Sequence, residues 1–182
     1  AIGAVNTIVN NDGKLRGYNT DFSGFEYMVL RHGITLTDKK VVVLGNGGAA
    51  QAIKAVVRKH NAKSMIVVEV IDDGEAISYD ECFAHHTDAE VIINTSPVGM
   101  FPKVDASPVD LTKFPKCEAV LDVVYNPLTT KFVAQAKELG MIGVNGLEML
   151  VAQAKYAVEI FLGTEIDDAR IQEIYEDVKE LI

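Results

Sequence analysis

The chain has 182 residues, 48% hydrophobic and 24% charged, which suits one full-sized globular domain. Its net charge of −9 argues against nucleic acid as a partner, because phosphate binding needs clustered Lys and Arg. No apolar run approaches the roughly 18–20 residues of a membrane-spanning helix, and no secretory signal pattern opens the chain. Cys82 and Cys117 are far apart, and His32, His60, His85 and His86 show no paired metal-ligand spacing. No metal centre is expected, and a reducing cytoplasm fits better than a disulfide framework.

In chain order, residues 4–9 and 14–18 predict a β-hairpin turning at Asn11-Asp12-Gly13. Asp21 or Ser23 is placed to cap a helix carrying Phe22, Phe25, Met28 and Val29, which Gly33 ends. Val41-Val42-Val43-Leu44 is a continuous apolar strand of the kind buried on both faces in a parallel sheet. A glycine turn follows, then a helix over about 49–60, then a strand at Met65-Ile66-Val67-Val68. His85-His86 reads as a surface pair before the strand 90–94. A further strand spans 119–124, and a helix runs from about Thr130 to Leu139. A short strand at 141–144 precedes a long helix opened by Gly146, and an acidic amphipathic helix covers about 167–181. Between them, residues 97–116 hold four of the five prolines and are expected to lie over the carboxyl edge of the sheet. Alternating strands and helices predict an α/β fold: a doubly wound, Rossmann-like parallel sheet with flanking helices, preceded by a hairpin and helix.

Gly45-Asn46-Gly47-Gly48-Ala49-Ala50 departs from G-x-G-x-x-G only by Ala at the last place, which needs merely to be small. Gly45 permits the tight turn, and Gly47 lets backbone approach a pyrophosphate at the helix N-terminus. The position after an apolar strand and before a helix predicts dinucleotide binding through Gly45, Gly47, Gly48 and Ala49. An acidic side chain about 20 residues on accepts ribose hydroxyls, whereas a basic one receives a 2′-phosphate. Here the stretch is Glu69-Val70-Ile71-Asp72-Asp73, with no Lys or Arg between Lys63 and Lys103. NAD is therefore favoured over NADP, with Glu69 as the selector; the alternative is that Glu69 and Asp72-Asp73 are only solvated loop charges and a basic group arrives from elsewhere.

Five segments resemble shikimate dehydrogenases: Gly3-Ala4-Val5-Asn6-Thr7, Gly17-Tyr18-Asn19-Thr20-Asp21, Asn94-Thr95-Ser96-Pro97-Val98-Gly99-Met100, Asp122 to Thr130 (D-x-x-Y-x-P-x-x-T), and Gly146 to Ala154 (G-x-x-M-L-x-x-Q-G). The resemblance implies reversible reduction of 3-dehydroshikimate to shikimate by a nicotinamide dinucleotide, in the route to chorismate and the aromatic amino acids. It implies that Asp21 is the acidic member of a catalytic Lys–Asp pair. It likewise implies that Asn6, Gln153 and Tyr125 meet the substrate, and that Thr95, Ser96, Gly146 and Met149 border the cofactor. Asp21 as a plain N-cap, Asn6 as a turn cap, Gln153 as an exposed helix residue and Tyr125 and Met149 as core are the structural alternatives.

The sequence departs from the family pattern in three ways. It starts two residues before the first shared motif, so the family's N-terminal substrate domain, with its Ser-x-Ser element and catalytic Lys, is expected to be absent. Residues 1–182 then form a single cofactor-binding domain, inactive alone. An Asn-Arg-Thr-like element for NADP is missing, as in the branch of the family that uses NAD and sometimes accepts quinate. Ala154 stands where Gly is usual. Other readings are a free-standing dinucleotide-sensing module, or a methylenetetrahydrofolate or glutamyl-tRNA reductase relative; the Asn-Thr-Asp and Met-Leu-x-x-Gln segments speak against the latter. A homodimer is left open.

Overall fold

Val41, Val42, Val43 and Leu44 are all fully buried, yet they divide between two cores. Successive side chains of a strand point to opposite faces. Val41 and Val43 pack with Val91, Ile93, Ala119 and Leu121 on one face. Val42 and Leu44 pack with Ile92 and Val120 on the other. A sheet covered on both faces is what a continuous apolar run encodes.

The computed structural model describes residues 2–70 and 74–182. The acidic pair Asp72-Asp73, read above as part of the ribose-facing stretch, lies outside the described residues. Strands β1 (Thr7–Asn11) and β2 (Lys14–Tyr18) form an antiparallel hairpin. Asp12 and Gly13 both have positive φ, 52° and 84°, the backbone that a two-residue I′ turn requires. Helix α1 (Thr20–Arg31) leads to β3 (Lys40–Leu44), α2 (Gly48–Lys59), β4 (Ser64–Val68), α3 (Tyr79–His85) and β5 (Val91–Asn94). Then come β6 (Ala119–Asp122), α4 (Lys131–Glu138), β7 (Ile142–Val144), α5 (Leu147–Leu162) and α6 (Ala169–Lys179). The five strands β3 to β7 are parallel, in the order β4-β3-β5-β6-β7. The order reverses between β3 and β5, so the turns leaving these two strands flank a crevice, the place where open α/β sheets bind ligands.

Four expectations are corrected. Neither Asp21 nor Ser23 caps α1; Asn19 does, its side chain accepting from the Phe22 N–H. Asn19 wins because its Nδ2 also donates to the Ala4 carbonyl, 3.1 Å away across the hairpin. The strand expected over 119–124 stops at Asp122, where the carboxylate turns back onto the chain to accept from the Val124 N–H. His85-His86 closes a helix, α3, that the sequence reading did not foresee. Residues 97–116 do more than cross the edge of the sheet: Val109, Leu111 and Phe114 are buried in the second core with Phe132. In this way the stretch covers one sheet face.

Candidate active site

Gly45 sits at φ +101°, a region L side chains rarely adopt, and a Cβ there would lie 2.7 Å from Thr95 Oγ1. The turn after β3 is thus pressed against the turn after β5. Thr95 secures the contact, its hydroxyl donating to the Leu44 carbonyl at 2.9 Å and lying 3.2 Å from that of Gly45. Ser96 donates through Oγ to Asn94 Oδ1 at 2.6 Å. Both hydroxyls are therefore spent on the protein as donors. Gly47 and Gly48 differ from Gly45. A Cβ on either would meet no protein atom within 4 Å, and Gly47, at φ −76°, needs no glycine for its backbone. The N-terminus of α2 has no side-chain cap and no acidic residue in its first turn. Bare backbone, open space and unopposed helix N–H groups fit a pyrophosphate.

Glu69, just past β4, reaches this turn from the other side. Its Oε2 accepts from the Asn46 N–H at 2.9 Å and its Oε1 from the Val70 N–H at 2.7 Å. Ala49, at the opposite end of the turn, lines a cleft of about 360 Å³. Asn6, Asp21, Tyr125, Gly146, Met149 and Gln153 line the same cleft. The structure therefore gathers seven of the residues singled out in the sequence around one space, with the glycine turn running from there to Glu69. Thr95 and Ser96 pack against the turn and do not line that cleft.

Each cleft residue is held by identifiable contacts. Asn6 Oδ1 accepts from the Thr20 N–H at 2.9 Å, which leaves its amide nitrogen toward Asp21. The Thr20 hydroxyl lies 3.3 Å from Asn6 Oδ1 and 3.2 Å from Gln153 Oε1, tying hairpin, α1 and α5 together. Gly24 allows this approach: a Cβ there would be 2.7 Å from the Met149 carbonyl. Burial raises the Asp21 pKa above its ordinary value, against the hydrogen bond from Asn6. Tyr125 is 41% exposed, so it does not close the core. Met149 is 7% exposed and belongs to the first core as well as to the cleft. Gly146 has a reason within the protein, since a Cβ there would stand 2.1 Å from the Val123 carbonyl.

Beneath the cleft runs a buried polar spine that sequence reasoning missed. Asn94 and Asp122 are register partners at the ends of β5 and β6, both fully buried. Asn94 donates to Asp122 Oδ1 at 2.9 Å, and Thr130, the α4 cap, donates to Oδ2 at 2.7 Å. Burial pushes the Asp122 carboxyl up to about 6 despite the hydrogen bonds from Thr130, Val124 and Asn94. Both residues lie inside motifs quoted above; the cue was a polar residue closing an apolar strand. A second omission is Lys54, 3% exposed on α2, whose Nζ donates to Asn46 Oδ1 at 2.7 Å. Cys82 and Cys117 are buried free thiols. Among the described residues no cluster of His, Cys, Asp and Glu is arranged to hold a metal, and no helix is long and apolar enough to cross a membrane.

No family model matches the chain. A shikimate dehydrogenase (NADP(+)) of Clostridium perfringens is 39% identical over 191 residues, covering 98% of this chain and 69% of that protein. Among solved structures, a chorismate mutase/shikimate 5-dehydrogenase fusion protein from Clostridium acetobutylicum superposes with a TM-score of 0.93 at 38% identity, covering 100% of this chain and 69% of that one. A shikimate 5-dehydrogenase from Listeria monocytogenes, in complex with shikimate and NAD, gives 0.81 at 28% identity, covering 95% and 68%. With this sheet, this glycine turn and relatives at this identity, the chain belongs to the shikimate dehydrogenase family of oxidoreductases.

Proposed function

We propose that the protein takes part in the reversible, nicotinamide-dependent reduction of 3-dehydroshikimate to shikimate, with residues 1–182 forming the cofactor-binding domain and one wall of the substrate site. The observation that carries this reading is the single cleft shared by Asn6, Asp21, Ala49, Tyr125, Gly146, Met149 and Gln153, continuous with the glycine turn. Glu69 would hold the adenosine ribose, Gly47 and Gly48 at the α2 N-terminus would hold the pyrophosphate, and Ala49, Gly146 and Met149 would border the nicotinamide. Thr95 and Ser96 shape the turn from behind.

Ketone reduction needs a hydride on the carbonyl carbon and a proton on the developing alkoxide oxygen. The reduced nicotinamide supplies the hydride when bound. Asp21 holds the proton relay at the cleft: burial raises the pKa of its half-buried carboxyl, so it takes up a proton more readily than an exposed one. Asn6 has one amide N–H to offer a substrate hydroxyl, since its Oδ1 accepts from the Thr20 N–H and its amide also donates to Asp21. Gln153 lines the same wall, and Tyr125 offers its phenol. The second member of the proton pair, a Lys in the family, has no counterpart among Lys14, Lys39 and Lys40, so residues 1–182 by themselves bind cofactor without turnover.

NAD is the preferred cofactor. Glu69 places a carboxylate beside the glycine turn, and no Lys or Arg occurs between Lys63 and Lys103. Against this reading, the clostridial and other curated relatives are named for NADP(+), while the Listeria structure holds NAD. The test is titration of the purified chain with NADH and with NADPH, followed by the fluorescence of the reduced nicotinamide. Tighter NADH binding is expected. Tighter NADPH binding would remove the cofactor preference, and binding of neither would remove the glycine turn as a working site.

A further inference from the structure

Asp122 is fully buried, and three donors converge on its carboxylate. Asn94 Nδ2 and the Val124 N–H donate to Oδ1 at 2.9 and 3.1 Å, and the Thr130 hydroxyl donates to Oδ2 at 2.7 Å. They come from the end of β5, the turn after β6 and the N-cap of α4. Among the described residues no charged side chain shifts this carboxyl; burial, Thr130, Val124 and Asn94 do.

What the carboxylate fixes is the turn that follows it. Val124 is held by its N–H on Asp122 and by its carbonyl on the Gly146 N–H at 3.0 Å. Its neighbours Val123 and Tyr125 both line the cleft, as does Gly146. A Cβ on Gly146 would stand 2.1 Å from the Val123 carbonyl, so the two backbones touch. The glycine turn, by contrast, leans on Thr95, whose hydroxyl donates to the Leu44 carbonyl. A displaced Val124 therefore disturbs the Gly146 end of the cleft and leaves the glycine turn in place. The ionised carboxylate suits all three donors, since it only accepts. A proton on Oδ1 would face two N–H groups, and one on Oδ2 would face a hydroxyl that already accepts from the Val133 N–H at 3.2 Å. With the carboxyl pushed up to about 6, the matched form prevails at neutral pH and is lost as pH falls through that value.

We propose that Asp122 is a positioning residue: as a carboxylate it holds the turn at 123–125 in the place that seats the nicotinamide ring, without touching cofactor or substrate. This rests on the cofactor site proposed above. Asp122 acts through Val124, and its protonation loosens the nicotinamide end while the adenosine end stays formed.

The experiment measures dissociation constants for NADH and for ADP-ribose, which lacks the nicotinamide, across a pH series spanning the Asp122 titration. The wild-type chain is compared with Asp122→Asn and Thr130→Val, with circular dichroism to confirm the fold. Asn keeps an acceptor for Asn94 and Val124 and turns an amide N–H to Thr130, so it imitates the protonated acid. At neutral pH, Asp122→Asn is expected to weaken NADH about fivefold or more and to leave ADP-ribose within about twofold. The wild type is expected to lose the same NADH affinity as pH falls through about 6, and Asp122→Asn to show no such step. Thr130→Val removes a donor to the carboxylate and should move the step to higher pH. Asp21 also lines the cleft with a raised pKa; a step that persists in Asp122→Asn, or that Thr130→Val leaves in place, belongs to another group and overturns the proposal. NADH and ADP-ribose weakened alike by Asp122→Asn would mark a merely structural carboxylate and overturn it, as would no weakening of NADH. A wild type that binds neither ligand overturns this proposal together with the site.

Discussion

Three glycines of one turn separate what the fold requires from what a ligand requires. At Gly45, φ is +101° and an added Cβ would lie 2.7 Å from Thr95 Oγ1 and 3.1 Å from the Ser96 nitrogen. Left-handed strain of about 1–3 kcal/mol and overpacking of similar size make Gly45→Ala strongly destabilising. With a loss of about 3 kcal/mol, Tm should fall roughly 6–12 °C in a domain of this length. At Gly47 and Gly48 the same methyl group would meet nothing within 4 Å. Ala at the Gly47 N-cap costs at most about 1 kcal/mol, and Ala at Gly48, inside the helix, is neutral or gains up to about 1 kcal/mol. A pyrophosphate lying on these amides would be held off by the methyl. Loss of one charge-assisted hydrogen bond, about 1.5–3 kcal/mol, weakens NADH binding roughly tenfold to a hundredfold. Thermal melts and NADH titration of the three variants give the answer together. If Gly47→Ala and Gly48→Ala bind NADH as the wild type does, or melt as low as Gly45→Ala, the bareness of the turn has nothing to do with a ligand.

Asp122 should leave a mark on the pH dependence of stability. Burial lifts its folded pKa to about 6, above the 3.8 of an ordinary aspartate. Between those values the native state holds a proton that the unfolded chain releases. Its contribution is therefore present at low pH and lost as pH rises from about 4 to 6, by about 3 kcal/mol. Urea unfolding at pH 4 and pH 7 should show Asp122→Asn more stable relative to wild type at pH 7 than at pH 4; equal differences at both would refute the assignment. Gly24→Ala should cost about 2 kcal/mol by overpacking, because its Cβ would lie 2.7 Å from the Met149 carbonyl and 2.9 Å from Gln153 Cβ; an unchanged melt would mean that α1 and α5 part freely. His32→Ala removes the 2.9 Å partner of Glu148, a carboxylate residue only 5% exposed, and should destabilise by about 1–3 kcal/mol at neutral pH; a loss near zero would show that water replaces the imidazole.

Much of the architecture was legible before any coordinates, because its determinants are local. Four consecutive apolar residues followed at once by glycine allow little besides a central parallel strand and a tight turn. Asp12-Gly13 specifies the hairpin by backbone alone. The misses have non-local causes. Asn19 and Asp21 are both cap-forming residue types, and the choice between them is made by Asn6 and Ala4 on the facing hairpin segment. Val109, Leu111 and Phe114 have no helical or strand period; they become core because the open face of β5 and β6 must be covered. Lys54 lies outside the stretch after β4, and only the helix that leaves the glycine turn brings its side chain back to Asn46.

What the sequence by itself determined is the βαβ frame and the glycine turn within it. What only the tertiary structure decided is the meeting of Thr20 with Gln153, 133 positions apart, and with it the cleft that holds Asn6, Asp21 and Gln153. The reason is geometric: a strand or turn is set by neighbours in the chain, whereas a cleft is set by the sum of every crossover between its walls, and here by the one glycine that lets α1 touch α5.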